Sequence, residues 1–248
     1  MRIPTTMALL AILAMPQASL GAERATITDK QGRTIEVMTS GPDDAQAGVL
    51  VVHDWFGFTP FTEHTVDRLG DEGYRTIAVD LYQGRKATTH GEAEALMNGL
   101  DAAQAQDALA AGLDALDTRK VAVVGFSMGA KIALEAAIKL HERIAAAALI
   151  YGGGFGDLDD TALGVAGDLL VVSGSSDEWA HGELIALERR MLDLHHPIEA
   201  YVYPGVDHAF AQPLFNSGKN FDEDATKATE TVMDGFLARH LGTTVSAK

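Results

Sequence analysis

Cysteine is absent from the 248 residues. Without thiols there can be no disulfide, no thiolate nucleophile, no cysteine-built zinc or iron–sulfur site and no thioether-linked lipid anchor. Positive charge is scarce: 19 Lys and Arg stand against 35 Asp and Glu, a formal net charge of −16. A surface so acidic repels phosphate backbones and anionic lipid heads, which argues against nucleic-acid and peripheral-membrane partners. No H-E-x-x-H pattern or two-carboxylate cluster offers a metal site, so no metal is expected. Proline is sparse at 7 residues, and no low-complexity stretch, long linker or internal repeat occurs. With 47% hydrophobic and 22% charged residues, the composition is that of a globular domain, not a disordered or collagenous chain.

The amino-terminal segment carries a distinct pattern. Arg2 gives a positive start, Met7–Met15 is an unbroken apolar run, and Ser19 to Ala22 end in small residues. That is the layout of a secretory signal peptide. The run of nine residues is far short of the ~20 that span a hydrocarbon core. The expectation is a signal peptide over residues 1–22, cleaved near Gly21 or Ala22, followed by a single domain over residues 23–248. The mature protein would then be exported, periplasmic or secreted, free of the membrane and a monomer.

Beyond the leader the pattern alternates. Thr26–Thr28 and Thr34–Met38 flank a turn at Lys30–Gln31–Gly32, as in a β-hairpin. Apolar runs follow at Gly48–Val52, Thr76–Val79, Val121–Val124, Ile144–Ile150 and Leu169–Val172, with a further strand pattern at Ile198–Val202. Helical patterns separate or follow them at Phe61–Leu69, Gly91–Leu116, Met128–Leu140, Gly182–Leu194 and Glu223–Leu241. This predicts an α/β fold: a mostly parallel central sheet with helices on both faces. In such sheets ligands bind beyond the carboxyl ends of the strands, so chemistry is sought in the loops that follow them.

Gly125-Phe126-Ser127-Met128-Gly129 fits G-x-S-x-G and falls between a strand pattern and a helix pattern. Ser127 thereby sits on a sharp strand-to-helix turn, where flanking glycines remove colliding side chains and the helix start faces the reacting centre. A serine hydroxyl needs a neutral imidazole to take its proton, and the chain order for this elbow is Ser, acid, His. Of the nine histidines, His208 alone follows the last strand and precedes the last helix. Asp177, reached from the strand Leu169–Val172 through Ser173-Gly174-Ser175-Ser176, is the preferred acid; Asp207 would have to fold back onto its neighbour's ring. Backbone donors for a carbonyl oxyanion are expected from Met128 and from Trp55, in the loop after the first central strand. Trp55, Phe56, Phe58 and Phe210 are expected to form an apolar wall around the substrate.

Taken together, His53-Asp54-Trp55-Phe56-Gly57, Val79-Asp80-Leu81-Tyr82-Gln83-Gly84-Arg85, the elbow, Gly174-Ser175-Ser176-Asp177 and Asp207-His208-Ala209-Phe210 resemble the dienelactone hydrolase family in order and spacing. The resemblance runs from Ile27 to Leu241. It implies an α/β-hydrolase fold without a lid domain, acting without a cofactor on lactones or small carboxylic esters. It also implies a triad of Ser127, Asp177 and His208, with oxyanion donors Trp55 and Met128. Ser127 stands where the family's best-known members have cysteine, and Asp54 where they have a glutamate beside it. Arg85, by the resemblance and as a cation in an acidic protein, is expected to grip a substrate carboxylate. Alternatives on the same fold are a general carboxylesterase, a thioesterase or a small peptidase; outside it stands a secreted binding protein without turnover.

Overall fold

The computed structural model describes residues 21–196 and 198–242. Most of the expected leader, Met1–Leu20, therefore lies outside the described residues.

Strands β1 (Glu23–Thr28) and β2 (Thr34–Ser40) form the expected antiparallel hairpin. Asp29 closes its turn by accepting the backbone N–H groups of Gln31 and Arg33 at 2.9 and 2.8 Å. Then come β3 (Ala47–Val52), α1 (Pro60–Asp71), β4 (Arg75–Val79), α2 (His90–Asn98), α3 (Ala102–Leu116) and β5 (Lys120–Phe126). The chain continues through α4 (Met128–Lys139), β6 (Ile144–Ile150), α5 (Asp160–Leu163), β7 (Asp168–Gly174), α6 (His181–Asp193), β8 (Ile198–Tyr203) and α7 (Glu223–Leu241). The eight strands form one sheet in the order β1-β2-β4-β3-β5-β6-β7-β8, parallel from β4 to β8.

Burial on both faces explains the continuous apolar runs. In β3, Leu50 and Val52 face a core shared with Leu109 and Leu113 of α3 and Ala133 of α4. Val49 and Val51 face the opposite core, with Val66 and Leu69 of α1 and Phe236 of α7. Alternation thus serves two cores at once, and neither face can be polar.

Topology places the site. From β3 the chain first builds β4 on one side, then crosses to build β5 on the other, so strand order reverses between β3 and β5. A crevice opens at such a switch point. The register is level there, with Val52 paired to Gly125, and the loop after β3 lies beside the turn after β5. At the other end, Gly174 pairs with Tyr203, which brings the loops after β7 and β8 together.

One expected helix is two. The pattern over Gly91–Leu116 breaks at Gly99, the C-cap of α2, and at Asp101, whose carboxylate accepts the N–H groups of Ala103 and Gln104 at 2.9 and 3.0 Å to start α3. An Asp at N-cap satisfies two of the four orphan donors of a new helix. Alanine-rich periodicity on both sides hid the break.

Candidate active site

The turn after β5 is built from glycines. Ser127 holds φ 51° and ψ −118°, outside the regions an L-residue favours, and its N–H donates to Ile150 O at 2.9 Å. A Cβ on Gly125 would overlap the backbone carbonyl of Gly129. A Cβ on Gly129 would overlap His53 O and lie 2.6 Å from Val52 O. Both obstacles are backbone, and neither can rotate away. Gly129→Ala is therefore expected to destabilise the protein by about 3 kcal/mol and to displace the loop after β3. A lowered urea midpoint is the readout.

A serine that served only as a helix cap would turn its Oγ to the first N–H groups of α4. Ser127 makes no such bond. Its Oγ lies 3.0 Å from Nε2 of His208, and Nδ1 of that ring lies 2.7 Å from Oδ2 of Asp177. A carboxylate only accepts, so Nδ1 carries the proton and Nε2 is left with a lone pair for the serine hydroxyl. Oδ1 of Asp177 accepts the N–H groups of Trp179 and Ala180 at 3.1 and 2.8 Å, and the side chain is fully buried. Its position is over-determined. Asp207, the alternative acid, points its carboxylate at the N–H of His208 and not at the ring.

The imidazole sits among three aromatic rings, in edge-to-face arrangements. Trp179, Phe215 and Tyr151 lie at centroid distances of 5.0, 5.3 and 5.6 Å. Such contacts fix the ring plane and shed water from it. Trp179 and Phe215 also line the cavity into which Ser127 opens.

Trp55 and Met128 line that cavity together with Ser127. The Trp55 loop is pinned by bonds to its own backbone. Asp54 Oδ1 accepts the N–H of Phe56 at 2.8 Å, and Asp54 O accepts that of Gly57 at 3.2 Å. Among the described residues neither Trp55 N–H nor Met128 N–H has a hydrogen-bond partner. Two preorganised donors beside a nucleophile can stabilise an oxyanion.

Behind the loop lies a buried polar strut. Asp54 Oδ2 accepts from Gln212 Nε2 at 2.5 Å, tying the Trp55 loop to the chain just beyond His208. Burial pushes the Asp54 carboxyl above its usual range, opposed by its bond from Gln212. Burial depresses the neighbouring His53, whose Nε2 accepts from Leu81 N–H at 3.1 Å while Nδ1 meets Asp54 O at 2.5 Å. A neutral imidazole with its proton on Nδ1 satisfies both contacts.

The expected substrate-binding residues are placed elsewhere. Asp54 is buried and turned into the strut. Phe58 and Phe210 are buried in the core on the α1/α7 face, and Phe56 packs against Ala87 and Ala93. Of the four aromatics, Trp55 alone lines the cavity. Arg85 is exposed, bonds Tyr82 O through Nε at 3.1 Å, and lines a second depression that shares only Leu100 and Ala105 with the Ser127 cavity. Asp80 causes this by accepting the N–H groups of Tyr82 and Gly84, which curls the loop and carries Arg85 away. Arg85→Ala should accordingly change kcat/KM on a neutral ester and on a carboxylate-bearing one by the same factor, within about twofold. Selective loss on the anionic ester would restore the grip expected from the sequence.

With this geometry in view, residues 35–241 match the family model described as the dienelactone hydrolase family. The chain is 27% identical over 198 residues to Protein usf of Aquifex pyrophilus, covering 73% of this chain and 84% of that one. It is 25% identical over 196 residues to a protein of Aquifex aeolicus (strain VF5) described as a candidate carboxymethylenebutenolidase, again covering 73% and 84%. Among solved structures, a candidate dienelactone hydrolase from Klebsiella pneumoniae superposes with a TM-score of 0.76 at 22% identity, covering 90% of this chain and 100% of that one. A dienelactone hydrolase-like promiscuous phosphotriesterase from metagenomic libraries gives 0.77 at 20% identity, covering 89% and 99%. At these identities the two structures speak for the fold.

Proposed function

Because the chain belongs to the dienelactone hydrolase family of α/β-hydrolases, we propose that it cleaves lactones or carboxylic esters through an acyl-enzyme on Ser127. The observation that carries this reading is the hydrogen-bonded line from Ser127 through His208 to Asp177, at 3.0 and 2.7 Å. In the first half-reaction Ser127 Oγ attacks the carbonyl carbon as His208 Nε2 takes the hydroxyl proton. Negative charge gathers on the carbonyl oxygen, within reach of the N–H groups of Trp55 and Met128. As the tetrahedral adduct collapses, the alcohol leaves with the proton from Nε2 and Ser127 keeps the acyl group. Water then repeats the sequence: Nε2 takes its proton, hydroxide adds to the acyl carbon, and Ser127 Oγ leaves reprotonated with the free acid. Asp177 holds the imidazole in one tautomer throughout and balances the imidazolium charge.

Labelling with a fluorophosphonate probe tests the nucleophile directly. One equivalent of label on the Ser127 peptide, with loss of turnover on an ester and lactone panel, is expected. Full labelling of Ser127→Ala, or turnover that survives labelling, would overturn the reading.

Export is proposed on the leader pattern of Arg2 and Met7–Met15, together with the position of β1, which begins at Glu23 immediately after the expected cleavage site. Amino-terminal sequencing of the protein from its native host should find Ala22 or Glu23, give or take two residues. Intact Met1 on protein confined to the cytosol would refute it.

A further inference from the structure

Ser127 opens into a cavity of about 960 Å³, near the top of the range of ~300–1,000 Å³ that holds drug-sized ligands. An acetyl group or a single lactone ring fills little of it. Helix α4 forms one wall of the space. Met128, Lys131, Ile132 and Glu135 face it at helical spacing, and the seven steps from Met128 to Glu135 at ~1.5 Å rise give about 10 Å, room for an extended chain of about eight carbons. The opposite wall comes from the break between α2 and α3, where Met97, Leu100, Ala102 and Ala105 line the same space.

Much of its lining is uncharged: Met97, Leu100, Ala105, Met128 and Ile132. Methionine at two of these positions adapts to chains of different shape. At the far end stands Gln106, only 8% exposed. Its Nε2 bonds Ile132 O and Glu135 Oε2 at 3.3 and 3.4 Å, while Oε1 is buried without a partner among the described residues.

The charge around this space is wrong for an anion. Glu135, Glu178 and Asp207 line the cavity, and its one lysine, Lys131, is engaged by Asp157 at 2.8 Å. Burial raises the Glu135 carboxyl above its ordinary value, as expected beside an apolar wall.

We propose that this groove seats a neutral, extended apolar chain on one side of the scissile ester, so that medium-chain esters are preferred over compact or carboxylate-bearing ones. The inference rests on the serine-hydrolase reading above and names the substrate class of that site.

The test uses two series at fixed pH: p-nitrophenyl esters from acetate to octanoate, and acetates of alcohols from ethanol to octanol. In at least one series kcat/KM should rise about twofold or more per methylene, against a ceiling of about fourfold for complete burial. A chain ending in carboxylate should react at least ~10-fold more slowly than its methyl-ended counterpart. Ala102 is exposed at the mouth of the groove, so Ala102→Trp should fold, which far-UV CD and fluorophosphonate labelling would verify. This variant should lower the long-chain to short-chain ratio of kcat/KM by ~10-fold. Flat or falling profiles in both series, in protein labelled at Ser127, would overturn the groove assignment and leave the serine mechanism standing. An unchanged ratio in Ala102→Trp would place the chain elsewhere and overturn it too. No label and no turnover of any ester would remove both readings together.

Discussion

Replacing either Ser127 or His208 by alanine should lower kcat by ~10³-fold or more, and replacing both should cost little beyond either alone. The reason is that the two side chains perform one act. At 3.0 Å, the hydroxyl is nucleophilic only as far as Nε2 takes its proton, and Nε2 has nothing to do without the hydroxyl. Activity left in the variants would come from the Trp55 and Met128 donors and from binding, which do not need the serine. Neither substitution should unfold the chain. Ser127 makes no capping bond, and its strained backbone is held by Gly125, Gly129 and the bond from its N–H to Ile150 O. The decisive measurement is kcat on one good ester, with CD spectra to show the fold retained. More than a tenth of the wild-type kcat in Ser127→Ala would mean that the nucleophile is another group.

What could be read from the sequence was whatever is fixed locally or by chain order. The elbow announces itself because a strand, two glycines and a helix start lie within a few residues of Ser127. Asp177 and His208 are 31 residues apart, yet both follow strands, and adjacency of β7 and β8 brings them into contact. Substrate contacts are different. Whether an aromatic near the site faces the cavity or the core depends on which side of a loop it leaves, and sequence position does not encode that. Phe58 turns inward to meet the His53 ring edge-on at 5.9 Å, and Phe210 packs on Tyr151 at 5.1 Å. Trp179, Phe215 and Tyr151, the rings around His208, went unrecognised; Trp179 lies just two residues after Asp177, which was the available signal. Arg85 lies outside the Ser127 cavity for a similar reason: two bonds to Asp80 set the curl of its loop. The cavity wall formed by Met97, Leu100, Ala102 and Ala105 was hidden behind the same obstacle, since it lies where Gly99 and Asp101 split one periodic stretch into α2 and α3.

Asp177→Asn should be nearly as damaging as loss of the nucleophile, although it preserves size and shape. An amide has one acceptor oxygen where the carboxylate has two. In the protein Oδ1 is committed to the N–H groups of Trp179 and Ala180, while Oδ2 takes the imidazole N–H at 2.7 Å. Asparagine can serve the backbone pair only by turning its NH₂ toward Nδ1 of His208. Two donors cannot face each other, so the ring shifts its proton to Nε2 and presents a donor to Ser127 Oγ. The opposite flip would set NH₂ against two backbone donors at a fully buried position, at roughly 1–3 kcal/mol for each group left unpaired. The wrong tautomer therefore wins, and the base becomes unable to accept. The same substitution in a serine-protease triad costs about 10⁴ in kcat, and ~10³- to 10⁴-fold is expected here. Because Asp177 acts through His208, the loss should fall on kcat and on the acylation rate in single-turnover experiments, with KM little changed. A variant within tenfold of wild type would show that His208 is held in its tautomer by something other than Asp177.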